Sequence, residues 1–235
     1  MNRRGQRTVW IALLALSAIG AAAVIRRIAA LATSPLGGNS PFTSLDAHFD
    51  AKAGMTLIHI VPSLVFVLLV PLQFAGSLRR RHPRFHRSIG RVLMSLGIVA
   101  GISAVWLSVH PVGGIAEGTA TALYGCFFLL CLGRAWWHIR NRRVELHREW
   151  VIRMVAIASG AAATRPIMAV FFATSRLTGL TPEQFFGPAM WLGFTASYVA
   201  GEIYLRHKQP RGLPGGQGTV GVETRLAPLL KGQGH

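Results

Sequence analysis

The sequence predicts an all-α polytopic membrane protein, with six transmembrane helices and a four-helix core. Three observations carry this. Of the 235 residues, 51% are hydrophobic and only 14% are charged. The charges gather in a few clusters. The stretches between clusters are long enough to cross a hydrocarbon core of roughly 30 Å, which takes about 20 helical residues. Lipid offers a backbone N–H or C=O no partner, so spanning segments are helices or closed barrels. Apolar stretches of this length, without alternation, are not barrel strands. The same pattern excludes a soluble globular domain, a disordered chain and a disulfide-framed secreted domain.

The spans fall at 9–24, 55–78, 92–109, 115–137, 150–174 and 185–205. Residues 1–8 form a cytoplasmic tail, 9–208 the membrane domain, and the Gly- and Pro-rich 209–235 a disordered cytoplasmic tail. The first apolar stretch is long for the core of a secretion signal, so it is expected to stay as an anchor. Between the first two spans lies an outer loop, where Ser40-Pro41 has the order of a helix start.

Lys and Arg set the orientation. Arg3, Arg4 and Arg7 precede the first span, and Arg79, Arg80, Arg81, Arg84, Arg87 and Arg91 lie between the second and third. Arg140, Arg142, Arg143, Arg148 and Arg153 lie around the fourth connection, and Arg206, Lys208, Arg211, Arg225 and Lys231 follow the sixth span. With six spans all four groups face one side, which is therefore cytoplasmic, with both termini. Arg26, Arg27, Lys52 and Arg176 fall on the other side; Arg134 and Arg165 lie within spans. Topology and anionic lipid head groups at the cytoplasmic face account for the net charge of +17, so no nucleic-acid partner is needed.

Small residues four apart mark close helix contacts: Gly97 with Gly101, Ala156 with Gly160, and Gly193, Ser197 and Gly201. Pro62, Pro71 and Pro166 each remove one N–H from a span. Cys126 and Cys131 point in different directions on one helix and read as small apolar residues.

Polar groups inside a bilayer are costly and mark candidate sites. His59 and His110 lie toward the outer surface, His86 and His147 toward the inner. Two histidines from facing helices can hold a haem iron axially, and nearby Arg87 and Arg148 suit its propionates. Two such levels would carry electrons across the bilayer. A simpler reading puts these side chains at lipid phosphates. His48, His82, His138, His207 and His235 read as interface or tail residues. Asp46, His48 and Asp50 cluster without a metal motif. No nucleophile elbow, phosphate loop or dinucleotide fingerprint is present, so soluble-type enzyme chemistry has no visible support.

Arg165 is the most informative charge, with Glu117 expected as its partner; Glu202 is expected to pair with Arg153 or Arg134. Gln73, Thr164 and Trp150 could line the same interior. The alternative to structural pairing is a site for a propionate, quinone oxygen or acidic lipid.

His86-Arg87 and His147-Arg148 each open an ascending helix after a basic turn, which suggests two duplicated hairpins. These residues also carry a resemblance. His59-Ile-Val-Pro, Pro71-Leu-Gln73-Phe, Leu78-Arg79, Pro83, His86-Arg87 and Gly90-Arg91 resemble the bacterial membrane family called domain of unknown function 2306 (DUF2306). His147-Arg148-Glu-Trp150-Val-Ile-Arg153, Ala156 and Thr164-Arg165 complete the pattern over 54–165, with Val151 where that family has Met. The resemblance implies an integral-membrane bundle in the bacterial inner membrane, and no established activity. A looser likeness, of layout alone, is to di-haem transmembrane cytochromes of the b561 type. The resulting expectation is a b-type haem electron carrier or the membrane subunit of an oxidoreductase. The alternative is a haem-free protein that binds or moves a lipid, quinone or small anion, using Arg165, Glu117, Gln73 and His59.

Overall fold

The computed structural model describes residues 3–33 and 49–208. The Ser40-Pro41 helix start, Asp46, His48 and the 209–235 tail lie outside the described residues. Among those described, every regular element is helical. They are α1 (Arg3–Thr33), α2 (Ala53–Phe74), α3 (Gly76–Arg81), α4 (Pro83–Ser108), α5 (Gly114–Arg140), α6 (Val144–Thr178) and α7 (Pro182–Lys208).

Five of these, α1, α2, α4, α5 and α6, are long and apolar enough to cross a membrane. The sequence reading counted six. α7 has the length, at 27 residues, but not the hydropathy. The reason lies in what it touches. Much of its surface packs on α6 and α5 rather than on lipid, so Gly, Ala, Thr and a paired Glu replace the branched apolar residues that lipid would favour.

Local chemistry sets the ends. Pro83 opens α4, where a missing N–H costs nothing. Gly179 stops α6 in the left-handed conformation, φ 66°. Glu117 in the first turn of α5 accepts the N–H groups of Val112 (2.5 Å) and Gly113 (2.6 Å), closing the α4–α5 loop. The expected proline sites are absorbed within continuous helices, Pro62 and Pro71 in α2 and Pro166 in α6.

α2 packs on α4, α4 on α5, and α5 on α6; α1 lies against both α2 and α6. The main core draws Phe66 and Val70 from α2, Ile89 and Leu93 from α4, Phe128 and Leu132 from α5, and Val155 and Ile157 from α6. Phe194 of α7 joins it, stacked 5.0 Å from Tyr124. The small-residue spacings do what the sequence proposed. A methyl on Gly97 would meet Leu132 at 3.2 Å, and one on Gly193 would meet the Thr164 backbone at 2.9 Å. Gly201 faces Ala156, and Gly160 faces Phe194. α6 and α7 therefore interlock almost backbone to backbone. Large apolar side chains such as Ile102, Leu123, Leu130 and Ile203 remain on the outside, as suits a surface that meets lipid.

Candidate functional site

The basic turns α2–α4 and α5–α6 lie at one end of the bundle, and three histidines meet there. His147, in the first turn of α6, has its Nδ1 2.8 Å from the carbonyl oxygen of Ala135 on α5. A carbonyl only accepts, so Nδ1 donates and the lone pair of the neutral ring sits on Nε2. This is the arrangement that orients imidazoles for ligation.

His86, in the first turn of α4, lies near enough to His147 for the two charges to act on each other. Its backbone carbonyl accepts the side-chain amide of Gln73 at 3.3 Å. Its Nδ1 is buried and has no hydrogen-bond partner. His138, near the end of α5, is only 6% exposed, and its Nδ1 is also unpartnered. Buried polar atoms without partners are uncommon and need an explanation. Sequence reading assigned His138 to the interface and missed it. The signal was there: the short turn after Arg140 sets His138 and His147 at similar depth on adjacent helices.

Aromatic and cationic groups surround the histidines. The Trp150 ring has Arg153 at 5.2 Å and Arg134 at 5.8 Å. Arg134 and Trp137, with Leu130 and Gly133, line an open groove of about 500 Å³. Arg153 is held by Glu202 of α7 at 2.6 Å and 3.3 Å, with Glu149 at 3.6 Å. The expected Glu202 pairing is therefore made with Arg153. Arg87 is exposed at the rim. Arg148 lies 3.9 Å from the exposed Glu145.

The other candidates lie elsewhere. The His59 Nδ1 is shared between the Ala100 carbonyl (3.0 Å) and the Ser103 hydroxyl (3.1 Å) on α4. Ser103 gives its own proton to the Val99 carbonyl at 2.7 Å, so His59 is the donor. His110 stacks on Trp106 at 4.7 Å, and its carbonyl accepts Lys52 at 2.7 Å. His59 thus sits beside Ser103, seven residues or about 10 Å of helix below His110. The structure does not bring these two together as a pair.

The expected Glu117–Arg165 pair is a correction. Glu117 serves the α4–α5 loop. Arg165 lies on the exposed side of α6, and the charges acting on it are Arg26 and Arg27 of α1. A carboxylate at the start of α5 is used locally, because two N–H groups lie within its reach. Gln73, Glu117, His59 and Arg165 accordingly occupy different depths rather than one pocket.

Among the described residues no three His, Cys, Asp or Glu side chains are arranged to hold a metal ion. Two imidazoles lie at the basic end, His147 with its Nδ1 held by the Ala135 carbonyl and His86 with an unpartnered Nδ1.

A family model described as "Predicted membrane protein (DUF2306)" matches residues 56–205. No curated protein and no solved structure matches the chain.

Proposed function

We infer that this chain, which belongs to the DUF2306 family of predicted membrane proteins, is an inner-membrane electron carrier or oxidoreductase subunit that holds one b-type haem at its basic end. One observation carries the reading. The ring of His147 is fixed by the Ala135 carbonyl so that Nε2 is open, with the buried, unpartnered His86 Nδ1 close by. His147 and His86 would hold the iron, and Arg87 and Arg148 the propionates. When bound, the haem supplies one-electron chemistry. His59 and His110, two helical turns apart, do not form a second axial pair in this reading. The density of Arg in the α2–α4 and α5–α6 turns supports a cytoplasmic basic end with both termini inside, in contact with anionic head groups.

A haem-free site for a lipid, quinone or small anion is the second reading. It is favoured by the groove at Arg134 and Trp137, which opens at the side of α5 close to Trp150. A dithionite-reduced minus oxidised absorption spectrum of the purified protein decides between them. The haem reading expects b-type bands that vanish in His147→Ala. A flat spectrum after haem supplementation overturns it.

A further inference from the structure

The groove on α5 follows the helical repeat. Its lining residues, Leu130, Gly133, Arg134 and Trp137, stand three and four apart, so they form one stripe about two turns long. All four are exposed, while Cys131, Leu132, Ala135 and His138 between them are buried. The stripe therefore lies on the outside of a helix long and apolar enough to cross the membrane. Gly133 is the floor of the groove, since a methyl added there would meet nothing within 4 Å.

Arg134 lies about 9 Å of helix before the end of α5 at Arg140. At that depth, below the basic turn, a guanidinium is costly unless it snorkels or meets an anion. It lies 5.8 Å from the Trp150 ring, and Arg143 in the turn lies 5.4 Å from the Trp137 ring. Two cations thus rest on indoles at two heights along one wall. An aromatic face attracts a cation without supplying a hydrogen-bond acceptor for its N–H groups. Neither arginine forms an ion pair with a carboxylate among the described residues.

The shape and charge of the groove select its ligand. A free anion would have to leave water to reach Arg134, at a high desolvation cost. An uncharged quinone would fill the groove and leave both cations uncompensated. A lipid phosphate brings negative charge to this depth together with its own hydrocarbon. Trp137 stands at the inner end of the stripe, the level at which indoles meet head groups.

We propose that the α5 groove binds an acidic phospholipid, with Arg134 and Arg143 on its phosphate, Trp137 against its glycerol region, and Leu130 and Gly133 along the upper part of an acyl chain. This rests on the groove of the second reading and names its ligand. It holds with or without haem at His147.

Native mass spectrometry of the full chain tests it, with phosphatidylglycerol, phosphatidylcholine or decylubiquinone added. The wild type should retain phosphatidylglycerol in preference to the other two. Arg134→Gln should weaken that retention about fivefold, as expected for one basic charge near an anionic surface. Arg134→Lys keeps the charge and should keep most of the binding, which separates loss of the site from loss of the fold. Gly133→Trp fills the floor with every charge in place and should also weaken retention. Arg84→Gln removes a charge from the other hairpin and should leave retention unchanged. Equal retention of the two lipids overturns the proposal, as does unchanged retention in both Arg134→Gln and Gly133→Trp. Displacement of the lipid by millimolar inorganic phosphate would assign the groove to a free anion and overturn the lipid assignment. Preference for decylubiquinone would overturn it too, while leaving the second reading standing. Retention of none of these probes would sink both.

Discussion

The α2–α4 and α5–α6 hairpins place His-Arg at the same point, yet they treat the histidine ring differently. In the second hairpin the turn between Arg140 and Val144 is short, and His147 reaches back 12 residues to the Ala135 carbonyl with its ring. In the first, the extra helix α3 intervenes. Here Gln73 reaches forward 13 residues, to the backbone of His86 and not to its ring. One imidazole is oriented and the other is left to be satisfied by something else. Similar sequences therefore give unlike sites, because the length of the turn decides which atom comes within hydrogen-bond reach.

The largest test of this contrast is a pair of variants. His147→Ala should abolish the haem spectrum, since it removes the ring at the basic end whose Nδ1 is held by the Ala135 carbonyl. His86→Ala should leave a weaker, high-spin spectrum that added imidazole restores. Inserting three glycines after Asn141 should copy the first hairpin's defect into the second: His147 leaves Ala135, and the spectrum is lost although both histidines remain. Equal behaviour of the two single variants, in absorption and in imidazole rescue, would erase the distinction drawn between the hairpins.

A second difference lies in what braces each hairpin. The α5–α6 pair is locked to α7 by Gly160, Gly193 and Gly201 and by the Arg153–Glu202 ion pair. The α2–α4 pair has α1 against α2 and no ion pair of this kind among the described residues. Both partners of the α7 pair are mostly shielded, with side chains 20% and 23% exposed. Glu202→Gln should therefore lower stability by about 1.5–3 kcal/mol, the usual range for a hydrogen bond to a charged group. The double change Arg153→Met, Glu202→Leu should recover part of that, because it leaves no uncompensated charge. Thermal unfolding in detergent reads both. A loss in the double variant as large as the sum of the singles would show that the two residues act independently.

What the sequence made legible follows from the range of each signal. Spans, small-residue contacts and the Arg153–Glu202 pairing come from composition and helical spacing, which act within one or two turns or between adjacent helices. The location of His86 and His147 at one end follows from counting residues from the turns. Glu117 was harder, because a loop N–H four or five residues away competes with any distant guanidinium, and loop geometry has no periodic signature. His138 was missed for a related reason. Its burial depends on how α5 rotates against α6, and α5 carries aromatic and apolar residues around much of its circumference.

Gln73 provides the finest test of the hairpin comparison. Its amide donates to the His86 carbonyl at 3.3 Å, a long bond by ordinary standards. Gly90 leaves room beside it, since an added methyl there would still lie 3.7 Å from the Gln73 Oε1. Gln73→Leu keeps the bulk and removes the donor, so the stability loss should be about 0.5–1.5 kcal/mol. The first turn of α4 would then lose its side-chain tie to α2. Hydrogen exchange should rise at residues 84–87 and stay unchanged at 145–148, where the Ala135 contact is intact. If protection fell equally at both turns, the two histidine sites would be mechanically coupled through α5, and the oriented ring of His147 would owe its position to the first hairpin as well as to its own.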